Sequence, residues 1–177
     1  MSQQGRIHLF TGNGKGKTTA ALGIGLRATG HNMNVIMIQF MKGQETGEIA
    51  ICKTLNQLFQ IERFGLPQFI TPNTSNKDIQ KHINIFQKGI KRTLEIFESN
   101  IFDVIILDEL ALAPSQKIAT TEEIISLIQK KPLNCELIIT GRNAPDELID
   151  LCDVVTEMKE IKHCYNEGIN AIKGIDF

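Results

Sequence analysis

Large aromatic side chains are scarce in this sequence. It has no Trp, one Tyr and nine Phe, so aromatic residues make up only 6% of the chain. A large planar ligand would therefore be gripped mainly by Phe, Ile and Leu side chains, because the residues with the largest aromatic faces are missing or nearly so.

The chain also lacks an excess of charge of either sign. Nineteen Lys and Arg against twenty Asp and Glu leave a net charge of −1, which argues against a nucleic-acid partner, since backbone binders carry a basic surface. The charge is uneven, because residues 1–64 carry +4 and residues 65–177 carry −5. The N-terminal third is therefore the part expected to face an anion.

Paired cysteines and long apolar runs are missing as well. The four cysteines form no Cys-x-x-Cys pair and no secretory signal precedes them, so we expect a cytoplasmic protein. No apolar run approaches the roughly 20 residues that span a bilayer, which argues against a membrane helix. A chain of 177 residues with 42% hydrophobic composition is expected to form one domain, residues 1–177.

Short apolar segments alternate with segments of helical periodicity. This pattern predicts an α/β fold with a mostly parallel sheet flanked by helices. A long loop is expected at residues 65–76, and loops of this length in compact domains are often functional. The predicted strands are 6–10, 35–40, 60–64, 103–107, 135–140 and 153–157, and the predicted helices are 17–29, 48–58, 77–98, 121–130 and 145–151.

A glycine-rich segment lies between the first predicted strand and the first predicted helix. Its alternate glycines let backbone N–H groups approach phosphate oxygens at a helix N-terminus. The Gly-Lys-Thr ending predicts Lys17 on the outer phosphates and the Thr18 hydroxyl on Mg²⁺. Thr11 stands where phosphate loops usually begin with glycine, so a glycine-rich turn without a ligand is the alternative. The residues expected at the nucleotide are Gly12, Asn13, Gly14, Lys15, Gly16, Lys17, Thr18 and Thr19.

Two further strand ends carry charged groups that could join this site. Asp108 and Glu109 follow an apolar strand, where carboxylates can hold Mg²⁺ directly or through water. We expect Glu109 to bind the metal with Asp108 beside it; a solvated strand end is the alternative. Arg142 follows another apolar strand and could neutralise triphosphate charge or pair with a surface acid. Lys17 and Glu109 are the expected catalytic residues.

These motifs predict Mg-ATP or a similar nucleotide but leave the reaction open, because phosphate-loop domains serve ATPases, kinases and transferases alike. Hydrolysis or phosphoryl transfer would attack the γ-phosphorus. Attack at the 5′ carbon would instead release the whole triphosphate. Lys17, Mg²⁺ and the loop dipoles could stabilise either distribution of charge.

The order of the motifs resembles the phosphate-loop class of ATP:corrinoid adenosyltransferases. The resemblance implies a RecA-like P-loop NTPase fold and transfer of the 5′-deoxyadenosyl group of ATP to the cobalt(I) of a corrinoid, with release of triphosphate. It implies Mg²⁺ held by Thr18 and Glu109, a homodimer and a reducing flavoprotein as partner. The motifs that carry it are Gly12 to Thr19, Gln39-Phe40-x-Lys42-Gly43, Leu107-Asp108-Glu109-Leu110, Thr140-Gly141-Arg142, Lys162-His163 and Gly174-Ile175-Asp176-Phe177.

The long loop is where this chain departs from the family that it resembles. That family typically carries a Gly-Phe-Thr-Trp-like segment there, whose aromatics contact the corrinoid. The corresponding stretch is 66–69, so Phe69, together with Phe64, is expected to contact the corrinoid; a simple core position is the alternative for Phe69. The alternative functions are a P-loop ATPase or kinase with another substrate and a nucleotide-gated corrinoid carrier.

Overall fold

A computed structural model describes residues 4–44, 46–55 and 58–175, with the side chains of Tyr165 and Asn166 left out. Its strands form one sheet in the order β3-β2-β4-β5-β1-β6, in which every neighbouring pair is parallel. The predicted fold class is therefore confirmed. The strands are β1 Ile7–Thr11, β2 Val35–Phe40, β3 Phe59–Phe64, β4 Val104–Asp108, β5 Glu136–Thr140 and β6 Val154–Glu157.

Helices connect the strands and cover both faces of the sheet. In the described ranges, no helix is long and apolar enough to cross a membrane. Two short 3₁₀ turns, Leu110–Leu112 and Cys164–Glu167, follow β4 and β6. The α-helices are α1 Lys17–Thr29, α2 Gly47–Cys52, α3 Asn76–Ser99, α4 Thr121–Ile128 and α5 Asp146–Leu151.

Side chains of the central strands divide between two apolar layers. Val35 and Met37 pack in the layer that includes residues of α1 and α2. Ile36 and Ile38 pack in the layer formed with α3, α4 and α5. Because successive strand residues point to opposite faces, the apolar run over residues 35–38 of β2 matches a strand that is buried on both sides.

Most predicted boundaries agree with the structure within one residue, and two helices end earlier than expected. The helix predicted over 48–58 ends at Cys52, because the backbone N–H and the hydroxyl of Thr54 both donate to the Ile51 carbonyl and close a turn. Residues 56–57 of that prediction lie outside the described residues. The helix predicted to reach residue 130 ends at Ile128. The N–H groups of Lys130 and Lys131 donate to the carbonyls three residues before them, which tightens the last turn to 3₁₀ geometry.

The strand order decides which loops meet. β5 lies between β1 and β4, and β2 lies between β4 and β3. All carboxyl ends of parallel strands lie at one edge of a sheet, where ligands of open α/β sheets bind. The glycine-rich loop after β1, the acids after β4 and the loops after β2, β3 and β5 therefore share one edge.

The capping box at the start of α4 allows a test of local stability. Thr120 Oγ1 accepts a hydrogen bond from the Glu123 backbone N–H, and the Glu123 side chain accepts one from the Thr120 backbone N–H. We expect Thr120→Ala to lower the free energy of unfolding by about 1 kcal/mol, measured by urea denaturation. Thr121→Ala removes the same atoms one residue later and is the control; equal losses in the two variants would contradict the capping role.

Candidate active site

The glycine-rich loop packs closely against the segment that follows β6. Gly12 and Gly16 have φ angles of 90° and 109°, which glycine adopts without steric cost. The Gly14 backbone N–H donates to the Met158 carbonyl at 2.6 Å, and a Cβ atom at Gly14 would lie only 2.7 Å from the same oxygen. Glycine is therefore required at positions 12 and 16 by the backbone angles and at position 14 by the contact with Met158.

Lys17 is the first residue of α1, and its side chain reaches back into this loop. Its Nζ donates to the carbonyl oxygens of Gly12 and Gly14, both at 2.7 Å, and the side chain is only 6% exposed. Burial lowers the pKa of Lys17, an effect that Glu109 opposes and Arg142 reinforces. The loop therefore folds around a cation, as expected for a site that receives an anion.

The carboxylate of Asp108 is fully buried and surrounded by hydrogen-bond donors. Its Oδ1 accepts from the hydroxyls of Thr18 and Thr140 at 2.9 and 2.7 Å. Its Oδ2 accepts from Lys42 Nζ at 2.6 Å and from Gln39 Nε2 at 3.4 Å. A buried carboxylate is tolerated only when it is paired and hydrogen-bonded, and these four side chains supply the pairing and the hydrogen bonds.

Glu109 takes a different position from its neighbour. Its backbone has a φ of 62°, its N–H donates to Thr140 Oγ1 at 2.9 Å, and its side chain lines the cleft described below. Burial, followed by the charge of Asp108, raises the pKa of Glu109. The Thr18 hydroxyl contacts Asp108, so the geometry supports Asp108 as a metal ligand beside Thr18. That Glu109 binds the metal stays a prediction.

A cleft of about 560 Å³ opens beside these groups, a volume suited to a nucleotide-sized ligand. Its wall is formed by the glycine-rich loop, the loops after β2 and β3 and the start of α2, with Glu48, Arg142, His163 and residues 174–175 also contributing. Asp176 and Phe177 of the expected tail motif lie outside the described residues. The expected site residues that line the cleft are Gly14, Lys15, Gly16, Lys17, Thr18, Thr19, Phe69, Glu109 and Arg142.

The remaining expected residues lie elsewhere in the site or outside it. Gly12 does not line the cleft, but its carbonyl accepts a hydrogen bond from Lys17, which does. Asp108 is buried behind the cleft wall. Asn13 is exposed on the loop.

The two phenylalanines that were expected to contact a corrinoid separate in the structure. Phe69 lines the cleft and is 74% exposed, which rules out a simple core position. Phe64 packs instead beside Gly89 of α3, where a Cβ at Gly89 would come within 3.0 Å of its ring. The structure therefore brings Phe69, but not Phe64, to the cleft.

Several residues of the site were given no role by sequence reasoning. Gln39 is buried at the end of an apolar strand, and its Nε2 donates to Glu48 Oε1 at 3.1 Å as well as to Asp108. Thr140 ends β5 and connects Asp108 with the Glu109 backbone. A polar residue that interrupts an apolar strand at its carboxyl end is the signal that could have identified both.

The loops after β2 and β3 are packed as one unit. Gly43 lies so close to Leu66 that a Cβ atom would overlap the Leu66 backbone. The Arg63 guanidinium donates to the Gln44 carbonyl at 2.6 Å, and the Met41 N–H donates to the Phe64 carbonyl at 3.0 Å. The position of the loop with Lys42 is consequently tied to that of the loop with Phe69.

The donor set at Thr18 and Asp108 fits a hard divalent cation. A hydroxyl and a carboxylate are ligands that Mg²⁺ accepts when phosphates and water complete its shell. The ammonium of Lys42 contacts Thr18 Oγ1 at 2.9 Å and Asp108 Oδ2 at 2.6 Å. These oxygens therefore already stabilise one positive charge.

Comparison with known proteins assigns the chain to a family. The model of the family described as ATP:corrinoid adenosyltransferase BtuR/CobO/CobP matches residues 3–177. The protein belongs to this adenosyltransferase family. It is 37% identical to the corrinoid adenosyltransferase CobA of Salmonella typhimurium and 34% identical to that of Escherichia coli K12; both alignments cover 99% of this chain and 87% of the relative.

A solved structure supports the fold independently of sequence. The flagellar accessory protein FlaH from Methanocaldococcus jannaschii superimposes with a TM-score of 0.59 at 10% sequence identity, covering 88% of this chain and 71% of FlaH. At this identity the likeness concerns the fold alone. The expected RecA-like P-loop fold of this family member is confirmed.

The close packing of the two loops predicts a specific effect of Gly43→Ala. The methyl group would push the Lys42 loop away from Leu66, so we expect a loss of about 1–3 kcal/mol in the free energy of unfolding, measured by urea denaturation. Gly47→Ala is the matched control, because a Cβ there has no atom within 4 Å and alanine favours the helix. A Gly43→Ala variant as stable as Gly47→Ala would show that the loops are not in contact.

Proposed function

We propose that this protein transfers the 5′-deoxyadenosyl group of ATP to the cobalt(I) of a corrinoid and releases triphosphate. The observation that carries the proposal is one cleft whose wall contains residues 14–19 of the glycine-rich loop and an exposed aromatic side chain, Phe69. Membership of the adenosyltransferase family supports the same reaction.

The nucleotide half of the reaction rests on charge. The N-terminus of α1, the Lys17 ammonium and the Arg142 guanidinium would bind the triphosphate, since all three lie at the cleft. Thr18 with Asp108 or Glu109 would hold Mg²⁺, which would neutralise part of the phosphate charge. Since burial lowers the pKa of Lys17, a bound anion would stabilise its protonated form.

The chemical step needs no proton transfer. The electron pair of cobalt(I) forms the bond to the 5′ carbon, and the bond between that carbon and the α-phosphate oxygen breaks. Triphosphate departs with the bonding electrons, and the metal becomes formally cobalt(III). The side chains of the site then act by orienting the nucleotide and stabilising the leaving anion, so Glu109 is not required as a general base.

The corrinoid half rests on the loop after β3. Phe69, Leu66 and Pro67 give the cleft an apolar wall next to the phosphate loop. A corrin ring presents a large apolar face, which such a wall would bind by removing apolar surface from water. In the absence of Trp, Phe69 is the side chain best suited to this contact.

The setting of the enzyme is also a proposal. We propose that residues 1–177 form one catalytic domain that works as a cytoplasmic homodimer with a flavoprotein as the source of cobalt(I). The resemblance supports the dimer and the flavoprotein. The reducing compartment is supported by the absence of disulfides among the four cysteines, Cys52, Cys135, Cys152 and Cys164.

The reaction is tested anaerobically with Mg-ATP and chemically reduced corrinoid. We expect a light-sensitive Co–C bond in the cobalt spectrum and triphosphate as the phosphate product. Lys17→Ala should lower this rate by at least about 100-fold, since one donor to the developing anion is lost, while its circular dichroism spectrum stays unchanged. Orthophosphate formed without dependence on corrinoid would contradict the proposal and identify an ATPase instead.

The role of Phe69 is tested by separating the two Michaelis constants. We expect Phe69→Ala to raise the KM for corrinoid about tenfold or more, the factor that corresponds to one buried aromatic ring, and to leave the KM for ATP unchanged. Leu133→Ala is the control, because Leu133 is 72% exposed and does not line this cleft. An unchanged KM for corrinoid in Phe69→Ala would remove Phe69 from the corrinoid site.

A further inference from the structure

Lys42 makes a contact that the proposed reaction does not explain. Its Nζ lies 2.9 Å from Thr18 Oγ1 and 2.6 Å from Asp108 Oδ2, the two side chains with oxygen atoms best placed for a metal. The Lys42 side chain is partly exposed toward the cleft, whereas Asp108 is fully buried. The ammonium thus bridges a hydroxyl and a carboxylate from the solvent side.

This bridge competes with a metal ion for the same atoms. The Thr18 hydroxyl donates its proton to Asp108 Oδ1 and accepts a hydrogen bond from Lys42. A hydroxyl that ligates Mg²⁺ must offer a lone pair to the ion at about 2.1 Å. The ammonium and the metal cannot approach Thr18 and Asp108 together, since two cations at that distance repel strongly.

The charges around the cleft favour the lysine while no nucleotide is bound. A free divalent ion would add positive charge to a site whose three carboxylates already face four cations. A triphosphate reverses this balance, because it brings negative charge for the ion and for a displaced ammonium. The cations of the wall are Lys15, Lys17, Lys42 and Arg142, and the carboxylates are Glu48 and Glu109, with Asp108 behind them.

We propose that Lys42 is a tethered cation that occupies the metal position and is displaced when the metal arrives with the nucleotide. The inference rests on the proposed function, in which Mg-ATP is the substrate. Lys42 is a positioning residue in this scheme: its ammonium holds the Thr18 hydroxyl and the Asp108 carboxylate in place, and it makes metal binding depend on the nucleotide. After displacement its side chain remains on the cleft wall, where the triphosphate supplies a new partner.

The direct test measures Mn²⁺ binding to the full chain without nucleotide, by the loss of the free-ion electron paramagnetic resonance signal. Mn²⁺ shares the oxygen preference of Mg²⁺. We expect Lys42→Met to bind Mn²⁺ at least about tenfold more tightly than the wild type, the factor for removing one charge-assisted hydrogen bond that the ion must displace. Lys42→Arg keeps the cation and should bind Mn²⁺ as weakly as the wild type. Lys88→Met, which removes an exposed charge on α3, is the control and should also bind weakly.

The effect of Mn²⁺ on thermal unfolding distinguishes this role from a purely structural one, because Mn²⁺ would not restore stability lost through a structural defect alone. Lys42→Met leaves the Asp108 charge buried without its cation, so we expect a lower Tm that Mn²⁺ restores toward the wild-type value. At a Mn²⁺ concentration that saturates Lys42→Met but not the wild type, the wild-type Tm should change little. A Tm loss that Mn²⁺ does not restore, together with an unchanged Mn²⁺ affinity, would overturn the proposal.

A measurement on the wild type covers the case in which Lys42→Met does not fold. Mass spectrometry after brief acetylation should show slow modification of Lys42 in the free protein. Modification of Lys42 should become faster at the higher Mn²⁺ concentration that saturates the weak wild-type site, with Lys88 unaffected. An unchanged rate for Lys42 would overturn the inference. No arm contains ATP or corrinoid, so failed adenosyl transfer by the wild type would contradict the proposed function and leave these results standing.

Discussion

The buried carboxylate of Asp108 is the group on which the arrangement of the site depends. Because it has no exposed surface, its charge must be balanced by the protein, and its four partners come from four segments of the chain. Thr18 belongs to α1, Gln39 to β2, Lys42 to the following loop and Thr140 to β5. One ionised group therefore holds the start of α1 against three strand ends, and removing its charge would loosen each of them.

Glycines decide how closely the surrounding loops approach. Gly14 brings the phosphate loop against Met158, and Gly43 brings the Lys42 loop against Leu66. The first approach shapes the loop proposed to bind triphosphate, and the second connects the loop that carries Lys42 with the loop that carries Phe69. The corrinoid and nucleotide halves of the proposed reaction thus share one backbone unit, although their residues lie far apart in the sequence.

The sequence was most informative where a local pattern determines a local structure. The apolar runs, the Gly-Lys-Thr ending and the capping box at Thr120 predicted the individual strands, the glycine-rich loop and the start of α4, because each depends on residues close together in the sequence. It was least informative for Lys42, Thr140 and Phe64. Their roles follow from the order of strands in the sheet, which puts β5 beside β4 and packs Phe64 beside Gly89, and periodicity carries no information about that order.

The central claim is that Asp108 and Thr18 form a cation site that passes from Lys42 to a metal ion when the nucleotide binds. A crystal structure of this chain with Mg-ATP tests it most directly. We expect the metal on Thr18 Oγ1 and Lys42 Nζ beyond hydrogen-bond distance of both Thr18 and Asp108. A structure in which Lys42 still bridges these two side chains, with the metal held by other residues, would contradict the account.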